Sequence, residues 1–327
     1  MLDEKSKTAF ADLNRGYNST FRPGILSLGL VAPLEAHHNN PVPSMERHVG
    51  RAQLADELGF AAIWLRDVPF NVPSFGDAGQ VFDPFVYLGL LAGATHDIAL
   101  GVASIILPLR HPAHVAKAAA SADHLSGGRL LLGVASGDRP EEYPAMAMRF
   151  DDRGARFRDS LAYIRAASEA YPHYAGPQGQ LAGRADLLPK PVAGRLPVLI
   201  TGRAQQTPDW VAEHGDGWMT YPHDAAAQAR LVADYRARSV AAGSAQKPVM
   251  QSLYIDLVPE ADAAPEPIHL GFRSGVTFLK SYLSDLQTAG INHVALNLRF
   301  NSADVEETMK RLADEVLPDF LTERAPP

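Results

Sequence analysis

The chain has 327 residues, 46% hydrophobic and 20% charged, with 26 Gly, 25 Pro, no Cys and a formal net charge of −7. The apolar fraction excludes a disordered chain, and the lack of cysteine excludes disulfide scaffolds, thiolate metal centres, iron–sulfur clusters and cysteine nucleophiles. Apolar runs such as 98–109 fall short of the ~18–20 residues of a membrane span, residues 1–9 alternate charge unlike a signal peptide, and the acidic balance argues against nucleic acid, so a cytoplasmic protein is expected.

Residues 1–24 precede the first strand and read as a partly ordered N-terminal extension. Strand-like runs follow at 25–31, 60–65, 98–106, 129–135, 197–201, 217–220, 251–258 and 293–298. Several are Val-, Ile- and Leu-rich without polar alternation, the pattern of strands buried on both faces of a parallel sheet. Helical patterns lie between them. Ser44 is placed to cap a helix carrying Met45, Val49, Ala52 and Leu58, with Gly59 ending it. Pro112 suits the first turn of a helix through Val115, Ala119, Ala122 and Leu125, stopped by Gly127 and Gly128. Further helices are expected at 153–171, from Pro208, and at 225–241, 276–289 and 302–317. The last places Val305, Met309, Leu312 and Val316 on one face. Strand then helix, about eight times, predicts an α/β fold, a TIM (β/α)8 barrel over 25–320, with 321–327 as a tail. The Pro-, Gly- and Ala-rich stretches 172–196 and 259–271 read as insertions after the fourth and seventh strands, as surface loops or lids.

Barrel chemistry sits at the C-terminal ends of the strands, which directs attention to the loops there. Thr201-Gly202-Arg203-Ala204-Gln205-Gln206-Thr207-Pro208 links a strand to a helix. Free amides at a helix start bind anions, Gly202 permits close approach, Arg203 adds charge and Thr207 can cap, so the loop is either a phosphate cradle or an ordinary capped turn. Ser136-Gly137-Asp138 is either a second phosphate contact or a tight turn. Asp67 can hold a ligand or pair with Arg66. His37, His38, His111 and His223 lie near strand tops, but no metal-ligand spacing links them, so no metal is expected. No Gly-x-Ser-x-Gly elbow supports a hydrolase. Lys190 and Lys280 miss the predicted strand tops, which removes an aldolase-type lysine. Arg273 and Arg299 could take an anionic substrate or form surface salt links.

The run I-A-L-G-V-A-S-I-I-L-P-L-R-H-P at 98–112, followed after a helix by D-H-L-S-G-G-R-L-L-L-G-V-A-S-G at 123–137, resembles the bacterial luciferase-like flavin monooxygenase family. G-F-A-A-I-W-L-R-D at 59–67, the stretch 188–218 and A-G-I-N-H-V-A-L-N at 289–297 agree with it, so the resemblance spans roughly 25–320. It implies a TIM barrel using FMN reduced by a partner NAD(P)H-dependent flavin reductase, or a deazaflavin coenzyme in sister branches. By position, Ala103 and Ser104 match the third-strand end beside the flavin ring, where a non-proline cis peptide is common. Ser136 and Gly137 match a phosphate or ribityl contact, and Thr201, Gly202, Arg203, Ala204, Gln205 and Thr207 match the phosphate loop. Asp67 matches an acidic position near the ring. Luciferases carry a proton-transferring His after that acid, and here Val68 stands in its place. The luciferase phosphate Arg after the fourth strand is replaced by Ser136, and Arg203 could restore the charge.

The resemblance therefore implies a monooxygenase acting on a small organic substrate with O2 through a flavin hydroperoxide. Deazaflavin-dependent hydride transfer and a non-catalytic flavin-binding protein are the alternatives. The protein's share would be a dry site, with Val68, Phe70, Val72, Phe75, Phe82 and Trp218 as candidate wall or core residues. Asp67 and His111 are the candidate catalytic groups, although His111 could simply cap the helix at Pro112. The family is commonly dimeric, so a homodimer is expected.

Overall fold

The computed structural model describes residues 9–320, so residues 1–8 of the expected extension and the whole 321–327 tail lie outside the described residues. In chain order the strands are β1 (Ser27–Val31), β2 (Ala62–Leu65), β3 (Ala99–Ile106), β4 (Leu130–Ala135), β5 (His173–Gly176) and β6 (Gly179–Ala182). β7 (Val198–Thr201), β8 (Gly217–Thr220), β9 (Val249–Leu257), β10 (Glu266–Ile268), β11 (Gly271–Ser274) and β12 (His293–Asn297) follow. Eight of these, β1-β2-β3-β4-β7-β8-β9-β12, pair in parallel, and β12 pairs back to β1, which closes a (β/α)8 barrel.

The helices are α1 (Arg15–Thr20), α2 (His48–Glu57), α3 (Pro84–Ala94), α4 (Pro112–Leu125), α5 (Glu142–Ala145) and α6 (Arg153–Ala167). α7 (Pro208–His214), α8 (Ala225–Ala241), α9 (Val276–Thr288) and α10 (Val305–Glu315) complete the set. Alternate strand residues serve two cores, as the two-residue strand period requires. Leu28, Ile63, Leu100, Leu132, Val198 and Leu296 pack outward under the helices. Val31, Trp64, Leu131, Leu199, Met219 and Met250 fill the lumen. Gly101 and Gly133 leave room there, since a Cβ at Gly101 would fall inside the Trp64 ring and one at Gly133 would meet Met219.

The N-terminal segment is more ordered than its composition suggests. Asn14 caps α1 by accepting from the Tyr17 amide (2.9 Å) and donates to the Leu130 carbonyl (2.7 Å). Tyr17 and Phe21 are buried against the lumen residues, so α1 plugs the N-terminal end of the barrel. Above the plug, Trp64 Nε1 donates to His293 Nε2 (2.8 Å), and Ser27 Oγ lies 2.7 Å from His293 Nδ1. With Nε2 accepting, the neutral ring carries its proton on Nδ1 and donates it to Ser27, which in turn donates to the Thr20 carbonyl of α1 (2.7 Å).

Three expectations are corrected. Ser44 does not cap the first barrel helix: α2 starts at His48 after Arg47 in a left-handed conformation, and the Glu35 carboxylate instead accepts from the Ser44 and Met45 amides (2.9 and 3.0 Å). The stretch 172–196 lies between the fourth and fifth barrel strands, as expected, but it is not one of the lids the sequence allowed. It follows α6, forms the β5–β6 hairpin, and is tied near the C-terminus of α4 through Val192 to Asp123 and Lys190 to His124. A helix C-terminus in this architecture lies at the closed end of the barrel, so this stretch is no lid. The 259–271 stretch does lie at the open end, where β10 and β11 form a hairpin and β11 extends β9 from Tyr254 to Leu257. The third is an omission: α3 was not anticipated, and Asp83 caps it by accepting from Phe85 and Val86 (2.9 and 3.2 Å).

Candidate active site at the barrel mouth

The ends of β3 and β7 converge in the middle of the mouth. The Ala103–Ser104 peptide is cis, as the resemblance implies, and the β3–β4 register shifts between Val102 and Ile105. Ser104 Oγ and Thr201 Oγ1 hydrogen-bond to each other, and Met219 Sδ lies 3.7 and 3.2 Å from the two oxygens. These groups form the top layer of the lumen.

The loop from Thr201 to Thr207 rises from this point. Gly202, Ala204 and Gln205 all have positive φ (55°, 46° and 62°), and for Ala204 and Gln205 that conformation costs on the order of 1 kcal/mol each. Two anchors hold it. The Trp218 indole donates to the Gly202 carbonyl (2.8 Å), and buried Gln206 donates to the Gly154 and Ala204 carbonyls (2.8 and 2.9 Å) while accepting from Arg158 (2.9 Å). Among the described residues no acceptor meets the amides of Arg203, Ala204 or Gln205, and the exposed Arg203 side chain has no ion-pair partner. Thr207 caps α7 by accepting from Trp210 (3.3 Å). Free amides beside a free guanidinium on a rigid turn match the needs of a phosphate. Ser136 is buried at the neighbouring β4 end, its carbonyl accepting from the Tyr143 hydroxyl, and Gly137 has φ 75° at a position where a Cβ would also collide with Ile106 and Tyr143.

The two candidate catalytic groups are otherwise engaged. Asp67 does not pair with Arg66. Both of its oxygens are taken by Arg110 (2.9 and 2.8 Å), and the Ile106 amide adds a third contact (3.1 Å), so it fixes β3 relative to β2. His111 is exposed and caps α4, its Nδ1 accepting from the Ala113 amide (3.2 Å), with its ring beside Tyr163 of α6 (6.1 Å), so the capping alternative is the one the structure supports. Trp218 is engaged by the Gly202 carbonyl and stacks on Tyr235 (5.3 Å). Of the other proposed wall residues, Val72 is buried, whereas Phe70, Phe75 and Phe82 are about 40% exposed.

A polar group missed in the sequence lies over the mouth. The loop after β2, residues 66–83, forms a strap held at Asp77. Arg66 pairs with the Asp77 carboxylate, Arg299 Nη1 approaches it at 3.2 Å, and the Gly79 amide donates to it (2.8 Å). His37 Nε2 lies 3.9 Å away, and Arg139 donates to the Asp77 carbonyl (3.1 Å). Although burial opposes its charge, His37, Arg66, the Gly79 amide and Arg299 together hold the Asp77 carboxyl well below the usual carboxylate range. Thus one residue ties the β2 loop to those of β1, β4 and β12. Beneath the strap, Glu142 of α5 is wholly buried, with the Phe70 amide and, at 4.0 Å, Arg139 as its polar neighbours. Burial pushes its pKa up to about 7, against the lowering influence of Arg139. No group of metal-ligating side chains occurs among the described residues.

Residues 26–323 match the model of the luciferase-like monooxygenase family. The chain belongs to this family. It is accordingly an enzyme of the oxidoreductase class. An uncharacterized protein of Mycobacterium tuberculosis is 31% identical over 190 residues, covering 53% of this chain and 67% of that protein. The F420-dependent hydroxymycolic acid dehydrogenase of Mycobacterium tuberculosis is 28% identical over 207 residues, covering 61% of this chain and 55% of the relative. Among solved structures, the oxygenating component of 3,6-diketocamphane monooxygenase from Pseudomonas putida, determined with FMN, superposes with a TM-score of 0.74 at 16% identity, over 91% of this chain and 99% of that one. This luciferase-like chain also has, among the described residues, no helix long and apolar enough to cross a membrane.

Proposed function

We propose that the protein is a monooxygenase that binds reduced FMN at the barrel mouth and acts with O2 on a small organic substrate. The observation that carries this reading is the 201–207 turn, whose unpartnered amides and free Arg203 offer a phosphate a fixed cradle. Only β4 separates the cradle, which follows β7, from the Ala103–Ser104 stretch of β3, where the ring of such a cofactor belongs in this family. Ser104, Thr201, Ser136 and Gly137 would line the stretch between phosphate and ring. When bound, reduced FMN supplies the electrons that activate O2. The protein's own contribution is orientation and exclusion of water, through the lumen side chains below and the Asp77-held strap above. A separate NAD(P)H-dependent reductase and a cytoplasmic location belong to the same proposal.

A homodimer is part of it as well. Helix α3 is apolar on every side, and Val86 and Leu90 are 74% and 48% exposed on a face shared with Gly89 and Gly93, where a Cβ would meet nothing. A helix of that composition requires cover, and a second copy supplies it by self-complementary packing.

The second reading is deazaflavin-dependent hydride transfer, favoured by the F420-dependent relative. Titration with FMN, riboflavin and a deazaflavin separates the possibilities. FMN binding that Arg203→Ala weakens about tenfold or more, with riboflavin binding unchanged, supports the phosphate cradle. Equal loss for both ligands sinks it. Binding of the deazaflavin alone, with no O2 consumed when reduced FMN is supplied, transfers the proposal to hydride transfer.

A further inference from the structure

One guanidinium stands open over the lumen. Arg66 lies two residues past Trp64, so the strand period carries its side chain to the layer above that lumen residue. Leu65 pairs in register with Val102, which sets Arg66 level with Ala103 on the neighbouring strand, beside the cis peptide. The residue is firmly held. Its amide donates to Gln80 Oε1 (2.8 Å), its carbonyl accepts from Gln80 Nε2, and its Nη1 donates to Asp77. The strap covers its stem, since a Cβ at Gly79 would lie 3.6 and 3.8 Å from Arg66 Cβ and Cδ. Nε and Nη2 meet no acceptor among the described residues, yet neither is a closed-off atom, and the side chain is 26% exposed. The Asp77 contact thus uses one nitrogen, and the Nε–Nη2 edge, the edge by which Arg110 grips Asp67, faces the mouth.

The far wall offers matching groups. β8 and β9 stand across the barrel from β2. Tyr221 lies two residues past Met219 and Tyr254 four past Met250, both lumen residues, so the two rings continue the lumen face. Neither hydroxyl has a partner among the described residues, and that of Tyr254 is not closed off although its ring is buried. Burial raises the pKa of both hydroxyls, and in each case the Arg66 charge opposes it. Beside Tyr254 stand His269 of the β10–β11 hairpin (5.5 Å) and Phe300 past β12 (5.3 Å), an aromatic wall. The acids near Arg66 are Asp77, which it shares with Arg299, and exposed Asp138, which makes no hydrogen bond to it.

We propose that the open edge of Arg66 binds the carboxylate of an organic substrate whose apolar body lies against Tyr254, His269 and Phe300. A guanidinium edge gives a carboxylate two parallel charge-assisted bonds, which a neutral amide cannot match. The substrate role rests on the reduced-FMN reading above, whereas anion binding itself does not.

The test titrates the protein, with and without FMN, with benzoate and with its neutral isostere benzamide, read by calorimetry. Benzoate should bind about tenfold or more tightly than benzamide, and Arg66→Gln should remove that preference. Asp77→Asn separates charge recognition from support of the strap. It loosens the strap but takes away a competing carboxylate, so benzoate should bind at least as tightly as to the unaltered protein. A parallel loss in both variants would make Arg66 a strap anchor alone and overturn the assignment. Should Arg66→Gln not fold, Asp77→Asn decides by itself, because weaker benzoate binding there overturns the assignment too. So does a missing preference in the unaltered protein, or one that Arg203→Ala removes, which would put the anion in the cradle. FMN binding without a benzoate preference overturns the anion site and leaves the flavin reading standing. A benzoate preference without FMN binding does the reverse.

Discussion

Asp77 and Arg299 meet across the barrel mouth, Asp77 Oδ2 lying 3.2 Å from Arg299 Nη1, although one is carried by the β2 loop and the other follows β12. Their side chains are only about a tenth exposed, so the contact is screened little by water. Together with the Arg66 and Arg139 contacts, it makes Asp77 a shared attachment point of the strap, alongside the Ala78 amide bonded to the Pro41 carbonyl and the Gln80 side chain bonded to the Arg66 backbone.

Asp77→Asn should therefore loosen the strap while leaving the barrel intact. Removing the carboxylate strands two guanidinium groups, and partial exposure of Arg66 tempers the cost to roughly 2–3 kcal/mol. Hydrogen exchange should accelerate in residues 67–83 and remain slow in β2 and β3. Because the Asp77 carboxyl is held below its ordinary range, the latch is complete above about pH 4 and lost only in stronger acid, as the folded-state group takes up its proton. Strap protection factors, taken relative to intrinsic exchange at each pH, that vary between pH 5 and 8 would contradict this.

The barrel lumen gives a second expectation. Gly101 faces the Trp64 ring so closely that no Cβ fits, and Trp64 is fully buried and hydrogen-bonded to His293. Gly101→Ala should destabilise the protein by about 3 kcal/mol, since the ring can yield only by breaking that bond. Gly50→Ala on α2, where a Cβ meets open space, should be neutral or slightly stabilising in the same urea titration.

How much of this was legible in the sequence depends on the length scale of each interaction. The eight barrel strands were readable because Val, Ile and Leu runs buried on both faces carry their own signature, as in 98–106 and 129–135. The 201–207 loop was readable because a turn, a charge and a cap lie within seven residues. Helix α3 escaped because Phe-Val-Tyr-Leu-Gly-Leu-Leu-Ala-Gly-Ala has no polar face, so no stripe marks its period. For Asp67 the sequence offers a ligand or its neighbour Arg66, and neither is the partner, because Arg110 is 43 residues away. Ser44 was misread because Glu35, not a local hydroxyl, serves the amides there. Glu142 stands beside Glu141 in the sequence, and only packing distinguishes the buried one from the exposed one.

The same apolar helix yields a third expectation. Replacing Val86 and Leu90 by Lys puts two charges on the exposed α3 face, where each is free to be solvated in a monomer. Sedimentation should show dissociation of a dimer, while near-ultraviolet circular dichroism stays unchanged. Desolvating two unpaired charges at an interface costs several kcal/mol, enough to raise a dimer dissociation constant more than 100-fold. Unchanged sedimentation in the double variant would exclude α3 as the dimer face.

His293 gives the fourth, and its sign can be worked out. Burial pushes its pKa down from the ordinary 6.5 to about 3, consistent with a neutral ring that accepts from Trp64 and donates to Ser27. Above pH 6.5 the ring is neutral whether the chain is folded or not, so it contributes no pH dependence. As pH falls from 6.5 towards 3, the unfolded chain takes up a proton that the folded one refuses, and stability declines. Between pH 7 and 4.5 the loss from this one group is about 2–3 kcal/mol. Urea titrations at those two pH values should show that loss in the unaltered protein. His293→Gln, which has no titrating ring, should be less stable at pH 7 because the Trp64–His293–Ser27 chain is broken. It should nevertheless lose distinctly less on acidification. An equal loss in both proteins would mean that other groups carry the acid sensitivity and that His293 is protonated within the fold.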